Sequence, residues 1–222
     1  ESFLSNYPNL RTVVTPTTGI DHIDSAYCNK RKIQIISLRD TYDVLENFSS
    51  TSEIATWLML SLIRNTTLAA ADVKSGKWNR NDFVGNTLRG KTVGIVGFGR
   101  LGSQFSRICT SLGMKVTAYD LVEKSDDSAT FFNSLEELVR QADVVSLHVD
   151  DRGENLDLVN AAILSNFRSG AILINTSRGF VVNEKDIVDA IQRNVIRAYG
   201  TDVLSGEHGG DSKWLKESPL WQ

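Results

Sequence analysis

Hydrophobic runs in the second half of the chain alternate with amphipathic segments in a regular order. Short, nearly continuous apolar runs are typical of strands buried on both faces of a parallel sheet, and apolar residues spaced three or four apart predict helices. The predicted strands cover residues 92–96, 115–119, 129–132, 144–148, 171–174 and 198–203, and the predicted helices cover 101–112, 135–141, 160–166 and 183–192. This alternation predicts an α/β fold with a doubly wound parallel sheet.

The first half of the chain has a different pattern. Residues 10–14 and 33–37 are predicted strands, joined by the turn-rich loop TPTTGIDHID (15–24), which leads into a short helix. Ser50 and Glu53 have the spacing of a capping box at the start of a helix that we expect to continue to about residue 74. Residues 78–89 are polar and are expected to form an extended connector.

Composition and charge exclude several classes of protein. The net charge of −3 and the pI near 5.7 give no basic excess, so we expect no nucleic-acid partner. The longest mostly apolar stretch, residues 57–63, is too short to cross a membrane, and no leader pattern opens the chain. Cys28 and Cys109 form no CxxC pattern, which favours two reduced thiols, a cytoplasmic location and no metal site.

The segment GKTVGIVGFGRLG (90–102) contains the strongest motif of the chain. An apolar strand leads into Gly97, Gly99 and Gly102, spaced as G-x-G-x-x-G, and an amphipathic helix follows. These glycines suit a tight turn, close approach of a pyrophosphate and close helix–strand packing, respectively. The start of the helix, including Arg100 and Leu101, offers free N–H groups to phosphate oxygens. The segment therefore predicts a dinucleotide-binding turn.

An acidic residue ends the next predicted strand. Asp120 follows Gly102 by 18 residues, where a carboxylate accepts hydrogen bonds from the adenosine ribose hydroxyls. The same charge repels the additional phosphate of NADP, so the sequence favours NAD as the cofactor. Lys124 is the nearest following cation, and we expect it to face solvent.

Several spaced segments together resemble the D-isomer-specific 2-hydroxyacid dehydrogenases, a family that includes phosphoglycerate, glycerate, formate and D-lactate dehydrogenases. They are TTGIDHID (17–24), the helix with Ser52 and Glu53, residues 90–102, ADVVSLHV (142–149), FRSGAILINTSRG (167–179) and TDV followed by Glu207. The resemblance implies a flavodoxin-like substrate domain, of which residues 1–38 are a remnant, and a Rossmann-like NAD-binding domain over residues 39–222, incomplete at its C-terminus. Residues 78–89 are similar to an arm that relatives use in dimerisation, which implies a homodimer.

The resemblance also assigns catalytic roles. Arg178 matches the arginine that binds the carboxylate of a 2-oxo acid and polarises its carbonyl group. Glu207 follows Asp202 by five residues, the family's spacing for the carboxylate that pairs with a catalytic histidine. That histidine is expected in a segment of the form TPHIG beyond residue 220, and we expect His208 not to replace it, because sequence neighbours rarely face each other.

Further residues match binding positions of the family. Asp202 resembles the residue that contacts the nicotinamide carboxamide. His148, Thr176 and Ser177 match positions that line the cofactor. In the first segment, Thr18 and Gly19 resemble a loop whose N–H groups hold the substrate carboxylate, and His22 lies in the same loop. The acidic stretch HVDDRGENLDLVN (148–160) departs from the commoner Pro-Leu-Thr loop of relatives.

Three functions remain open at this stage. The first is an oxidoreductase that transfers a hydride between NAD and C2 of a D-2-hydroxy acid or 2-oxo acid. The second is a non-catalytic NAD-sensing interaction module, as in corepressor-like relatives. The third is an NADP-dependent enzyme of sugar-nucleotide or amino-acid metabolism, which Asp120 opposes.

Overall fold

The chain forms two compact units in the computed structural model, Glu1–Phe48 and Ser49–Gln222. The structure describes residues 2–20, 22–39, 41–122, 124–207 and 212–221. Along the chain the first unit ends at Phe48, whereas the sequence places a domain boundary after residue 38. The assignment of the first segment to a substrate domain stays a prediction. No helix in the described ranges is long and apolar enough to cross a membrane.

The first unit contains short elements around a small core. They are α1 (Ser2–Ser5), β1 (Thr12–Val14), α2 (Ser25–Arg31), β2 (Gln34–Ile36) and α3 (Tyr42–Leu45). β1 and β2 pair in parallel, and Tyr27, Cys28 and Ile33 form the buried centre. Asp24 caps α2, since its carboxylate accepts a 2.8 Å hydrogen bond from the backbone N–H of Tyr27. Both predicted strands and the short helix are therefore confirmed, with shorter strands than expected.

Two helices open the second unit, α4 (Ser50–Arg64) and α5 (Thr66–Lys74). The prediction of one continuous helix is wrong, because Asn65 adopts a left-handed conformation with φ of 55° and ends α4. The capping box at Ser50 is also wrong by one residue: Ser49 precedes the helix, and its hydroxyl donates to Glu53 at 2.5 Å. The connector that follows includes a 3-10 turn, Arg80–Phe83.

Across the described residues, six parallel strands form the sheet of the second unit in the order β5-β4-β3-β6-β7-β8. Its elements are β3 (Thr92–Val96), α6 (Arg100–Ser111), β4 (Lys115–Tyr119), β5 (Thr130–Phe131), α7 (Leu135–Gln141), β6 (Val144–Leu147), α8 (Ala161–Leu164), β7 (Ala171–Asn175), α9 (Glu184–Gln192) and β8 (Ile196–Thr201). This strand order is that of the Rossmann dinucleotide-binding fold. The predicted doubly wound α/β architecture is confirmed.

Helices cover both faces of this sheet. Met59 of α4 and Phe105 of α6 belong to one buried cluster, and Leu138 of α7 and Ile187 of α9 belong to the other. Strands covered on both sides are mostly apolar along their length, which explains their nearly continuous hydrophobic runs. The chain reverses its winding between β3 and β6, and ligands of such sheets bind at the carboxyl ends of the strands beside this point.

Candidate functional site

The turn after β3 is held by close backbone contacts. Gly97 has a φ of +88°, and a Cβ atom there would lie 2.7 Å from the carbonyl oxygen of His148. A Cβ atom at Gly102 would collide with the carbonyl oxygen of Gly97. The N–H of Gly97 donates to the carbonyl of Tyr119 at 2.8 Å, which attaches the turn to β4. Only glycine fits at 97 and 102, because the backbone itself occupies the space.

Gly99 differs from these two glycines, because a Cβ atom there would meet open space. It is exposed and immediately precedes α6, whose first residues are Arg100 and Leu101. The open side of the turn therefore adjoins the start of a 12-residue helix, where the first backbone N–H groups have no carbonyl partner within the helix itself. This combination of room and donors fits a pyrophosphate group.

A pocket of about 360 Å³ lies beside this turn, at the carboxyl ends of β3, β4 and β6. It is lined by the glycine turn, by the end of β4 and by the loop after β6; the lining residues include Gly97, Gly99, Asp120, Lys124, His148, Asp150, Arg152 and Asn155. Four residues that the sequence assigned to cofactor binding, Gly97, Gly99, Asp120 and His148, thus line one pocket. Its position matches the binding region expected for this strand order.

Asp120 is held by three donors of the protein. One carboxylate oxygen accepts from the N–H of Phe98 at 2.8 Å and from Lys124 Nζ at 2.9 Å, and the other accepts from the N–H of Val122 at 3.0 Å. Burial opposes ionisation, but these hydrogen bonds outweigh it and hold the pKa of Asp120 below its usual value. The expectation that Lys124 faces solvent is wrong, because its ammonium also donates to the carbonyl of Phe98 at 2.7 Å.

His148 lies directly after β6 and lines the same pocket. Its Nε2 is 2.9 Å from the Ser146 hydroxyl, and its buried Nδ1 has no hydrogen-bond partner among the described residues. Burial lowers the pKa of His148 to about 4, because the imidazolium form loses its hydration. His148 is therefore neutral at physiological pH.

The loop after β7 carries Thr176, Ser177 and Arg178. Asn175 is fully buried and holds this loop: its Oδ1 accepts from the Ser177 hydroxyl at 2.6 Å and its Nδ2 donates to the Arg178 carbonyl at 2.9 Å. The Thr176 hydroxyl is buried and has no hydrogen-bond partner within the described part of the chain, which leaves it able to bond a ligand. Arg178 is half-buried, and its guanidinium donates to the carbonyl of Ser177 at 2.8 Å.

The loop after β8 packs against the loop after β7. A Cβ atom at Gly179 would overlap the backbone of Leu204 and Ser205. Glu184, at the start of α9, is buried and accepts from the N–H of Ser205 at 2.7 Å and from the Ser218 hydroxyl at 2.8 Å. Sequence reasoning missed both Asn175 and Glu184; an acidic residue in the first turn of a helix is the only signal that marks the second.

Asp202 and Glu207 lie within this last loop and interact electrostatically. Burial, together with the charge of Glu207, raises the pKa of Asp202, against a backbone hydrogen bond that lowers it. Glu207 is exposed, and its Oε2 accepts from the N–H of Leu204 at 3.0 Å. His208 lies outside the described residues.

Thr18 and Gly19 belong to the first unit. Thr18 is exposed, and Gly19 is buried with its carbonyl accepting from the Thr17 hydroxyl at 2.7 Å. The Thr15 hydroxyl contacts both Thr17, at 2.7 Å, and His22 Nε2, at 3.3 Å. Side-chain hydrogen bonds therefore order this loop, and its role in substrate binding stays a prediction.

Comparison with known proteins agrees with this geometry. Residues 56–222 match the family model of the D-isomer specific 2-hydroxyacid dehydrogenase, NAD binding domain. Among relatives, the glyoxylate reductase of Thermococcus litoralis is 32% identical over 93% of this chain and 64% of its own length. The glycerate dehydrogenase of Methylorubrum extorquens is 30% identical over 98% of this chain and 68% of its own length.

Solved structures give the same result. The D-lactate dehydrogenase of Aquifex aeolicus, in complex with NAD and lactic acid, superposes with a TM-score of 0.82 at 30% identity, over 98% of this chain and 64% of its own. The formate dehydrogenase of Staphylococcus aureus, in complex with NAD, has a TM-score of 0.85 at 26% identity, over 98% and 65%. The chain spans 63% of the hydroxypyruvate reductase of Thermotoga maritima, so it corresponds to part of such enzymes. The family model, the relatives and the sheet order agree: this chain belongs to the D-isomer-specific 2-hydroxyacid dehydrogenases and contains their NAD-binding domain.

Proposed function

We propose that this chain is the cofactor-holding part of an NAD-dependent dehydrogenase that interconverts a small D-2-hydroxy acid and its 2-oxo acid. The observation that carries the proposal is the open backbone at Gly99, which adjoins a pocket at the carboxyl edge of the sheet. The loops with Arg178 and Glu207 follow β7 and β8 at that same edge. Cofactor and reacting groups are thus expected on one side of the sheet.

The residues present fit the dinucleotide. The glycine turn and the start of α6 would hold the pyrophosphate, Asp120 the adenosine ribose, and the buried hydroxyl of Thr176 a polar group of the nicotinamide half. When bound, NAD supplies the hydride acceptor or donor of the reaction. Ser177 and Asp202 complete the proposed set on the nicotinamide side.

Arg178 is the proposed substrate-binding residue. Its guanidinium carries a permanent positive charge and presents paired donors, so it can bind a substrate carboxylate in two places and stabilise the charge that develops on the neighbouring oxygen. Asn175 positions it by holding the Arg178 carbonyl at 2.9 Å. Close packing of Gly179 against the backbone of Leu204 and Ser205 joins this loop to the loop after β8.

Glu207 is the proposed partner of a catalytic histidine. A carboxylate bonded to one imidazole nitrogen fixes the tautomer and raises the histidine pKa, so that the other nitrogen can exchange a proton with the substrate oxygen. His148 is poorly suited to that role, because a pKa of about 4 makes its imidazole a weak base that stays uncharged at physiological pH. The loop with Thr18 and Gly19 is proposed to bind the substrate carboxylate from the first unit, as the remnant of the substrate domain.

A homodimer in the cytoplasm is part of this proposal. α5 has no buried residue, and Leu68, Trp78 and Val84 are 63%, 75% and 74% exposed. Apolar side chains this exposed in one stretch of chain favour a protein interface, and a second copy of the chain is the proposed partner. The cytoplasmic location rests on Cys28 and Cys109, which are both buried and not joined in a disulfide.

A substitution at Gly99 tests cofactor binding. Gly99→Val places a branched side chain in the open space where phosphate oxygens would lie. Loss of one charge-assisted hydrogen bond, worth about 1.5–3 kcal/mol, should lower NADH affinity about 10- to 100-fold. NADH fluorescence titration of the 222-residue chain measures the change. The melting temperature should stay closer to that of the unmodified chain than in a variant at Gly97, because a Cβ atom at Gly99 meets no protein atom within 4 Å.

Gly97→Val is the matched comparison. The same side chain there would overlap the His148 backbone and needs a positive φ, so this variant should lose stability as well as binding. Unchanged NADH affinity in a folded Gly99→Val protein, or no NADH binding by the unmodified chain, would contradict the proposal.

A further inference from the structure

Lys124 lies where selectivity between NAD and NADP is decided. Its ammonium is 2.9 Å from Asp120 Oδ2 and 2.7 Å from the carbonyl oxygen of Phe98 in the glycine turn. The Lys124 side chain is 33% exposed and that of Asp120 is 16% exposed, so the pair is partly shielded from solvent. Both residues line the same pocket as Gly97 and Gly99.

This ion pair weakens the electrostatic repulsion between Asp120 and a 2′-phosphate. A lone carboxylate at the ribose position repels a phosphate, which is why an acid there selects NAD. Here an ammonium group lies against that carboxylate and offsets most of its charge at short range. The guanidinium of Arg152, which also lines the pocket, donates hydrogen bonds to the Asp150 carboxylate at 2.6 Å and 2.7 Å. The opposite charges of Arg152 and Asp150 therefore offset each other.

The hydrogen-bonding capacity that remains on the Asp120 carboxylate also allows Asp120 and Lys124 to bind one phosphorylated ribose together. Asp120 Oδ2 already accepts hydrogen bonds from Phe98 and Lys124, whereas Oδ1 accepts one from Val122 alone among the described residues. A carboxylate oxygen accepts two hydrogen bonds, so Oδ1 keeps room for a ribose hydroxyl. An anionic group on the neighbouring ribose carbon would then lie within reach of the Lys124 ammonium.

We propose that Lys124 sets the cofactor selectivity of this site: its pairing with Asp120 lets the pocket accept a 2′-phosphorylated dinucleotide in addition to NAD. The inference rests on the proposed cofactor function and refines it, since the NAD-binding geometry is unchanged. Lys124 is then the residue that determines selectivity between NAD and NADP, and Asp120 alone does not exclude NADP.

Titration of the 222-residue chain with NADH and NADPH, by nucleotide fluorescence, tests the proposal. The unmodified chain should bind both, with NADH bound more tightly. In Lys124→Gln the ratio of the NADPH to the NADH dissociation constant should rise about 5- to 10-fold, because a charge-assisted contact is lost and the charge of Asp120 is exposed. Lys124→Arg keeps the cation and should keep the ratio of the unmodified chain to within about twofold.

Lys115→Gln is the matched control. Lys115 is exposed at the opposite end of β4, so this variant removes the same charge far from the pocket and should leave the ratio unchanged. An equal loss of both nucleotides in Lys124→Gln would mean that Lys124 only supports the turn, and would overturn the inference. So would NADH binding without measurable NADPH binding by the unmodified chain. Failure of that chain to bind either nucleotide would overturn the proposed function as well, which separates the two results.

Discussion

At the residue scale, His148 lies at the end of β6 with its ring against that of Phe105, at 5.1 Å between ring centroids. The sequence places a histidine near the cofactor but does not specify its charge, because an ordinary imidazole titrates near pH 6.5. Burial lowers the pKa of His148 to about 4 and so keeps this ring neutral. Its contribution is thus to fill and polarise the pocket wall without adding a charge.

The low pKa predicts a pH-dependent stability. Between the unfolded pKa of 6.5 and the folded value of about 4, the unfolded chain binds a proton at His148 that the folded chain does not. The contribution of His148 to stability is therefore fully present above pH 6.5 and is lost as the pH falls toward 4. Lowering the pH from 7 to 5 should reduce the free energy of unfolding by about 1–2 kcal/mol through this residue.

Urea unfolding at both pH values measures this loss. His148→Gln should lack this part of the decrease, whereas His22→Gln, in the first unit, should retain it. Equal pH dependence in the unmodified chain and in His148→Gln would show that His148 is accessible to protons in the folded state.

At the element scale, the break between α4 and α5 has a defined cause. Asn65 adopts the left-handed conformation that asparagine tolerates better than most residues, and its side chain donates to the Val84 carbonyl at 3.2 Å and accepts from Arg197 at 3.2 Å. The hydrophobic period alone does not show this break, since apolar residues continue on both sides of it. The partners of Asn65 come from the connector and from β8, which are distant in sequence.

Two substitutions at Asn65 separate the backbone effect from the side-chain bonds. Both Asn65→Ala and Asn65→Gly remove the side-chain hydrogen bonds, but only glycine adopts a positive φ without strain. Asn65→Ala should therefore be less stable than Asn65→Gly by about 1 kcal/mol in chemical unfolding. Equal stability of the two variants would mean that the bend does not depend on the conformation of this residue.

At the scale of the whole molecule, the exposed apolar side chains of α5 and the connector bear on assembly. Leu68, Val73, Trp78 and Val84 are each at least half exposed, although the remainder of the second unit buries two large apolar clusters. Exposed tryptophan and valine side chains in adjoining segments are typical of a surface that another protein covers. The proposed homodimer would bury them.

Substitution of Trp78 tests the assembly. Trp78→Glu places a charge in the proposed interface and should weaken dimerisation at least about 30-fold, as expected for a large aromatic anchor. Size-exclusion chromatography with light scattering gives the mass directly. Trp221→Glu is the control, because Trp221 is also an exposed tryptophan, 59% accessible, outside α5 and the connector. A monomeric unmodified chain, or a dimeric Trp78→Glu variant, would contradict the proposed interface.

Local pattern was sufficient for much of the second unit. The strands Thr92–Val96 and Lys115–Tyr119 have the predicted bounds, because buried parallel strands are rich in apolar residues and this pattern is visible in the sequence. The glycine spacing predicted the turn for a similar reason, since only glycine allows the positive φ at 97 and the close contact at 102. Each of these features depends on neighbouring residues along the chain.

Tertiary structure decided the features that depend on residues distant in sequence. Glu184 holds the loop after β8 through Ser205 and Ser218, which lie 21 and 34 residues away in sequence, and no local pattern identifies such partners. The pairing of Lys124 with Asp120 depends on how the segment after β4 folds back to the turn at Phe98, so sequence alone placed that lysine in solvent. The sequence by itself determined the sheet, the turn and the types of the site residues, because these follow from local periodicity and backbone sterics. Contacts that exist only in the folded chain decided the pairing of Lys124 with Asp120, the neutral state of the His148 ring and the end of α4.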